Sequence, residues 1–144
     1  MRPRVWELTT GKEVARFAPG GEPRGVAASG DGRRVAATSE LLDPEKGLGP
    51  TRLTVWEAAT GRVLARVTDE DRLGCVALNP NGSLVAVEAG RVVRVYAAAG
   101  GADRFVFHHT RAVTGLAFSP DGRTLAAAGY AVPVTLWDGS GGKR

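Results

Sequence analysis

Few side chains in this 144-residue chain have the type and spacing that chemistry requires. His108 and His109 are its two histidines and are adjacent. Neighbours in an extended segment point to opposite faces, so the pair does not readily share one metal ion. A zinc site would need Cys75 or carboxylates brought from elsewhere. Cys75 is the single cysteine. It lies in the apolar run Leu73–Leu78, where a small thiol packs, and no activating base is near it in sequence. Asp69, Glu70 and Asp71 form an acidic turn beside Arg72. They offer oxygens to a hard cation, but too few to close a site, and read as a charged loop. Gly20-Gly21 and Gly100-Gly101 lie in turns without a helix N-terminus to bind phosphate. Serines and histidines show no nucleophile–base spacing. The sequence therefore predicts no catalytic group, no metal and no cofactor.

The totals agree with a globular domain, at 43% hydrophobic and 24% charged residues. The net charge is +4, yet no block of five like charges concentrates it. A dispersed basic surface argues against a nucleic-acid stripe. No run approaches the roughly eighteen apolar residues of a membrane span. The opening MRPRVWELTT reads as a strand rather than a secretion signal, which sets the expectation of a cytoplasmic protein.

What must position any site is a repeat. Val113–Asp138 reads as three short strands: Val113–Ser119, the turn Pro120-Asp121-Gly122, Thr124–Gly129, and Val134–Trp137. Val134 and Leu136 fall on one face of the last strand and Thr135 and Trp137 on the other. The turn residues Asp31, Asn81 and Asp121 are 50 and 40 residues apart. The closing aromatics Trp6, Trp56, Tyr96 and Trp137 are 50, 40 and 41 apart. Two landmarks in one register give a period of about forty residues with one ten-residue insertion, the mark of stacked supersecondary units.

Ser119-Pro120-Asp121-Gly122, Leu125-Ala126 and Val134-Thr135-Leu136-Trp137-Asp138 closely resemble the WD-repeat (WD40) β-propeller blade. Trp56-Glu57 and Trp6-Glu7 stand for Trp-Asp in looser copies, and Tyr96-Ala97 more distantly. The resemblance implies an all-β fold of four-stranded antiparallel blades. It divides the chain into a half blade at 1–17 (third and outer strands), a blade at 24–67 with the insertion 40–52 as a surface loop, a blade at 73–108, a blade at 112–138 lacking its outer strand, and a flexible tail at 139–144. It gives His109 a structural task, bonding a hydroxyl and an acid and reaching Trp137. Ala127 and Ala131 stand where that hydroxyl and acid belong, so the polar network is degenerate.

The resemblance also implies a function, a non-enzymatic platform for protein–protein interaction. Arg24, Arg72 and Arg111 are expected in the loops entering the three inner strands, on one rim, with Tyr130 beside them. Such a rim suits a protein or an acidic peptide, although arginines at loop tips often only solvate the surface. About three blades do not close a ring of the family's usual curvature. The arc is expected either to belong to a larger propeller or to associate head to tail with copies of itself. In the second arrangement Arg4–Leu8 and Val134–Trp137 compete for one place. A nucleic-acid module and an enzyme or signalling protein completed by missing blades are the competing classes.

Overall fold

The computed structural model describes residues 2–138, and the expected tail at 139–144 lies outside them. Strands β1 (Arg4–Trp6) and β2 (Glu13–Arg16) form a two-stranded sheet. Strands β3 (Glu22–Ala28), β4 (Arg34–Asp43), β5 (Gly47–Glu57) and β6 (Val63–Asp69) form a four-stranded one. A second four-stranded sheet joins β7 (Leu73–Leu78), β8 (Leu84–Ala89), β9 (Val92–Ala97) and β10 (Asp103–His108). Strands β11 (Val113–Phe118), β12 (Thr124–Gly129) and β13 (Thr135–Asp138) form a three-stranded sheet. Each sheet is an antiparallel meander in chain order, and the described residues include no helix.

One turn design starts every complete meander. The side chains of Ser29, Asn79 and Ser119 accept the backbone N–H five residues on, from Arg34 (3.0 Å), Leu84 (2.8 Å) and Thr124 (3.0 Å). The Oδ1 atoms of Asp31, Asn81 and Asp121 accept the N–H of Arg33, Ser83 and Arg123, each at 3.0 Å. Gly32, Gly82 and Gly122 follow at φ 70, 72 and 72°, a region where only glycine is free of Cβ strain. The chemistry of Asx turns thus fixes the register of the first two strands in each repeat. At Asp31 and Asp121 a serine hydroxyl donates to the carboxylate as well, from Ser29 at 2.6 Å and Ser119 at 2.5 Å. Those hydroxyls, and then the backbone N–H, hold both carboxyls below the ordinary aspartate range.

Alternation along each strand makes both faces of a sheet apolar, so sheets stack. Ala36, Leu53 and Val55 of the first four-stranded sheet share a core with Leu73, Val76, Val87 and Tyr96 of the second. The far face of the second sheet, with Val93, Val95 and Phe107, packs on Val113, Leu125 and Trp137 of the three-stranded sheet. The other face of the first sheet, with Val35, Ala37 and Trp56, meets Phe17 and half-buried Val5 and Ala15 of the β1–β2 unit. In each junction the third-strand aromatic faces the preceding sheet. Trp56 lies on Phe17 with centroids 5.2 Å apart, and Trp137 stacks on Phe107 at 4.9 Å. Tyr96 takes the same place in the core that Val67 joins.

The insertion departs from the expected loop. Residues 40–52 instead lengthen the β4–β5 hairpin, with Leu42 paired to Leu48 and Asp43 to Gly47. Pro44 falls in the tight turn, where Asp43 Oδ1 accepts the N–H groups of Glu45 (2.8 Å) and Lys46 (3.0 Å). Pro50 is tolerated inside β5 because it lies at the register shift between Glu40 and Leu42, a bulge where the ladder does not need its missing N–H. Arg24 is corrected too. It lies inside β3 rather than in a loop, because the longer β4 gives Glu22 and Pro23 the partners Glu40 and Ser39.

Two outcomes are expected. Trp6 is 50% exposed, whereas its repeat equivalents Trp56, Tyr96 and Trp137 are 3%, 3% and 7% exposed. In urea denaturation Trp137→Ala should cost about 3–5 kcal/mol, and Trp6→Ala less than about 1 kcal/mol. Equal costs would contradict the junction assignment. Separately, the lowered carboxyls of Asp31 and Asp121 contribute stability that is present above the unfolded pKa of about 3.9 and lost as pH falls through the folded value. Acid denaturation should be shallower in the Asp31→Asn/Asp121→Asn double variant, and an unchanged slope would discount these turns.

Candidate functional site

A meander places the connections between sheets at the same end as the turns between second and third strands. One rim therefore carries Arg72, Arg111, Tyr130 and the β4–β5 hairpin tip, and the Asp31, Asn81 and Asp121 turns lie at the opposite end. The centre of this rim is Glu40, a carboxylate buried at the base of the hairpin. It accepts Arg24 Nη1 at 2.7 Å and Arg72 Nη2 at 3.4 Å, so it joins β3 to the connection that enters β7. The surrounding backbone is tightly packed. A Cβ on Gly21 would collide with the Glu40 carbonyl, and one on Gly25 would meet the Gly74 carbonyl at 2.8 Å. Thr38 Oγ1 donates to that same Gly74 carbonyl at 2.6 Å, a direct bond between neighbouring sheets.

The acidic turn beside it is held by an arginine. Arg94 on β9 reaches Asp71 Oδ2 at 3.2 Å and Asp69 Oδ2 at 3.6 Å. Thr51 Oγ1 donates to the Asp71 carbonyl at 2.6 Å and accepts the Leu73 N–H at 2.9 Å. These carboxylates serve as counter-charges, and no cluster able to hold a metal occurs among the described residues.

Between the two four-stranded sheets the rim opens into a cleft of about 500 Å³, lined in part by Arg24, Asp71, Arg72 and Glu88. Burial raises the Glu88 carboxyl, against the pull of the Gly90 and Cys75 N–H groups. Burial, and then the nearby Glu88, push the Cys75 thiol up to about 11. A thiol so raised stays protonated near neutrality and is a poor nucleophile. The cleft mixes signs: Arg24 and Arg72 share the Glu40 carboxylate, and Asp71 is paired with Arg94.

His109 is buried, and His108 is exposed on the opposite face. The His109 ring meets Trp137 edge-on, with centroids 6.1 Å apart. Its Nδ1 lies 2.9 Å from the Arg111 carbonyl and 3.3 Å from the Arg111 nitrogen. Its Nε2 is buried without a hydrogen-bond partner among the described residues. Ala127 is fully buried, and Ala131 holds a φ of 53°, unusual for a residue other than glycine. Neither side chain can bond an imidazole, so the ring is kept by packing on Trp137 and by the Nδ1 contact with the Arg111 backbone.

The sequence-predicted rim residues are only partly brought together. Arg24 and Arg72 converge on Glu40, and Arg111 and Tyr130 are exposed elsewhere on the rim. The three arginines are not repeat-equivalent, since they precede Val26, Val76 and Leu116 by 2, 4 and 5 residues. Sequence reading marks Leu41 and Leu42 as residues that pack back onto the blade or join a binding surface, but it missed Glu40 and the pairing of Leu42 with Leu48. The available signal was a run of strand-forming residues continuing past Ser39, which Pro44 and Pro50 concealed.

Comparison with known proteins fits this architecture. Residues 102–140 match the family WD domain, G-beta repeat. This segment is a WD repeat. The fold of the whole chain is that of WD40-type propeller blades in an open arrangement. The complex of KlAtg21 with the coiled-coil of AgAtg16 superposes with a TM-score of 0.79 at 15% identity, over 96% of this chain. The chain spans 47% of that matched chain, about half its length. At such low identity the likeness speaks for the fold alone. No curated protein matches the sequence.

The WD-blade rim yields one expectation. Removing Glu40 would leave two arginines facing each other across a sheet junction. Glu40→Ala should cost about 1–3 kcal/mol in urea denaturation, below the full cost of a broken buried pair because Arg72 is largely solvated. A change below about 0.3 kcal/mol would show that the hairpin base is held by its backbone ladder alone.

Proposed function

We propose that this chain is a non-enzymatic interaction scaffold that meets its partner through the rim carrying the β4–β5 hairpin. The observation that carries the reading is a division of labour on that rim. The charged groups that lie close together are paired internally, Glu40 with Arg24 and Arg72, and Arg94 with Asp69 and Asp71. The large exposed apolar side chains on the rim are Leu42, Leu48 and Tyr130, set among the exposed Glu45, Lys46, Arg91 and Arg111. Apolar and aromatic groups on a rigid strand hairpin suit the buried centre of a protein interface, with Arg111 as a polar neighbour. The same surface gives phosphate no concentrated charge and offers substrate no acid–base pair. The WD repeat and the neighbour solved in complex with a coiled-coil support a protein as the partner class.

The test is capture of partners by the immobilised chain from lysate of its source cells, after nuclease treatment, with identification by mass spectrometry. A reproducible protein partner should be retained at least about tenfold less by Leu42→Ser/Leu48→Ser, or by Arg111→Glu/Tyr130→Ala. A retained species that nuclease removes, or retention indifferent to both variants, would reject the rim as the interaction surface.

A further inference from the structure

The two ends of the arc expose residues whose repeat equivalents are buried or half-buried at the internal junctions. On the outward face of β13 and the residue before it, Leu136 is 51% exposed and Val134 57%. Strand pairing sets Thr135 opposite Ala127, Arg94 opposite Val87 and Thr54 opposite Ala37. Leu136 is thus equivalent to Val95 and Val55, which are 2% and 0% exposed. Val134 is equivalent to Val93 and Leu53, at 0% and 1%. At the other end Val26 on β3 is 61% exposed, whereas its equivalent Val76 is 8%.

These two surfaces are the halves of one junction. Leu53 and Val55 share a core with Val76, and Val93 and Val95 share one with Leu116, the next equivalent of Val26. Continuing the series sets Val134 and Leu136 against Val26. No single chain does this, because the two faces lie at opposite ends of its arc.

Resting on the reading of the chain as an interaction scaffold, we infer that a second copy of the chain covers these faces and closes a two-copy ring. The outward face of β11–β13 in one copy packs on the β3–β4 face of its partner, and this happens twice. The apparent obstacle is that β1 and β13 are equivalent third strands and compete for the place beside β2. The structure resolves that competition. Strand β1 has three residues and a half-exposed Trp6. Strand β13 is anchored by Trp137, which is buried on Phe107. So β1 yields, and β13 pairs with β2 of the partner subunit. Leu136 then takes the position against Trp56 that its equivalent Val5 holds in the separate chain. Each copy contributes two complete sheets and the parts of a third, which gives six blades, within the range of closed propellers. Since one copy spans 47% of the matched chain, two copies supply about its full length.

Light scattering during size-exclusion chromatography of the full chain tests this. The expected mass is about 30 kDa, twice the 15.0 kDa of one chain. Leu136→Asp and Val26→Asp should each shift it to that of one chain, and Val106→Asp, exposed on the outer strand β10 away from either end face, should not. A second measurement does not depend on those variants folding. Leu136→Cys and Val26→Cys, placed in a Cys75→Ala background, should oxidise to a covalent dimer on a non-reducing gel. A single-chain mass at 100 µM, a ladder of masses, a dimer indifferent to Leu136→Asp, or no covalent dimer would each overturn the closure. The hairpin-tip variants of the capture experiment lie outside both end faces. Loss of closure with capture retained would therefore leave the scaffold reading standing.

Discussion

The structure depends on sheets that are apolar on both faces. A sheet with one solvated face satisfies itself by packing on a single neighbour, but these sheets do not. Along β5, Leu53 and Val55 turn to the following sheet while Trp56 turns to the preceding one. Each sheet is therefore both the lid of one core and the floor of the next, and burial propagates along the stack as in other repeat proteins. The third-strand aromatic gives the contact its direction. Trp137 and Trp56 seat on an outer-strand or flanking phenylalanine of the sheet before them, and Tyr96 lies in the core against which Val67 packs. Aromatic pairs of this kind combine large buried area with an orientation preference, so they fix how one sheet is set on another.

Polar groups in this frame are joints rather than reagents. The Asx turns at one end use serine, asparagine and aspartate to set strand register. At the other end Glu40 and Arg94 tie neighbouring sheets through ion pairs at the rim. A rim built this way spends the charges nearest the sheet junction on its own stability. It presents outward the apolar Leu42, Leu48 and Tyr130 among exposed charges at the loop tips. This is the physical basis on which surface recognition is proposed for it.

Much of this was legible in the sequence because the repeat supplies its own controls. One Ser-Pro-Asp-Gly run proves little, but Asp31, Asn81 and Asp121 keep the register of Trp6, Trp56 and Tyr96, and coincidence does not sustain two landmarks at one spacing. Sheet order, turn chemistry and the facing of Val134 and Leu136 follow from that register and from period-two alternation. The hairpin was hidden because it breaks the repeat, and at Pro50 a local rule gave the wrong sign: proline forbids a ladder bond, yet a bulge removes the need for one. Glu40 was hidden for another reason. Its partners are 16 and 32 residues away, and only the lengthened β4 brings them together. The rim arginines looked equivalent because each precedes an inner strand. Counted from the inner-strand residues Val26, Val76 and Leu116, they are not.

His109 shows what holds a blade of this kind. Its Nε2 is buried with no hydrogen-bond partner among the described residues. An unpaired buried nitrogen costs free energy of order 1–3 kcal/mol, and the sheet bears that cost because Trp137, Phe107 and Leu125 bury enough apolar area around it. Stability carried by packing differs from stability carried by a directional network. A network needs its own members, whereas an apolar face accepts any surface of matching shape and register. The sheets of this chain offer such faces to one another at every internal junction. A surface that repeats the same residues in the same register would be accepted on the same terms, whichever molecule supplied it.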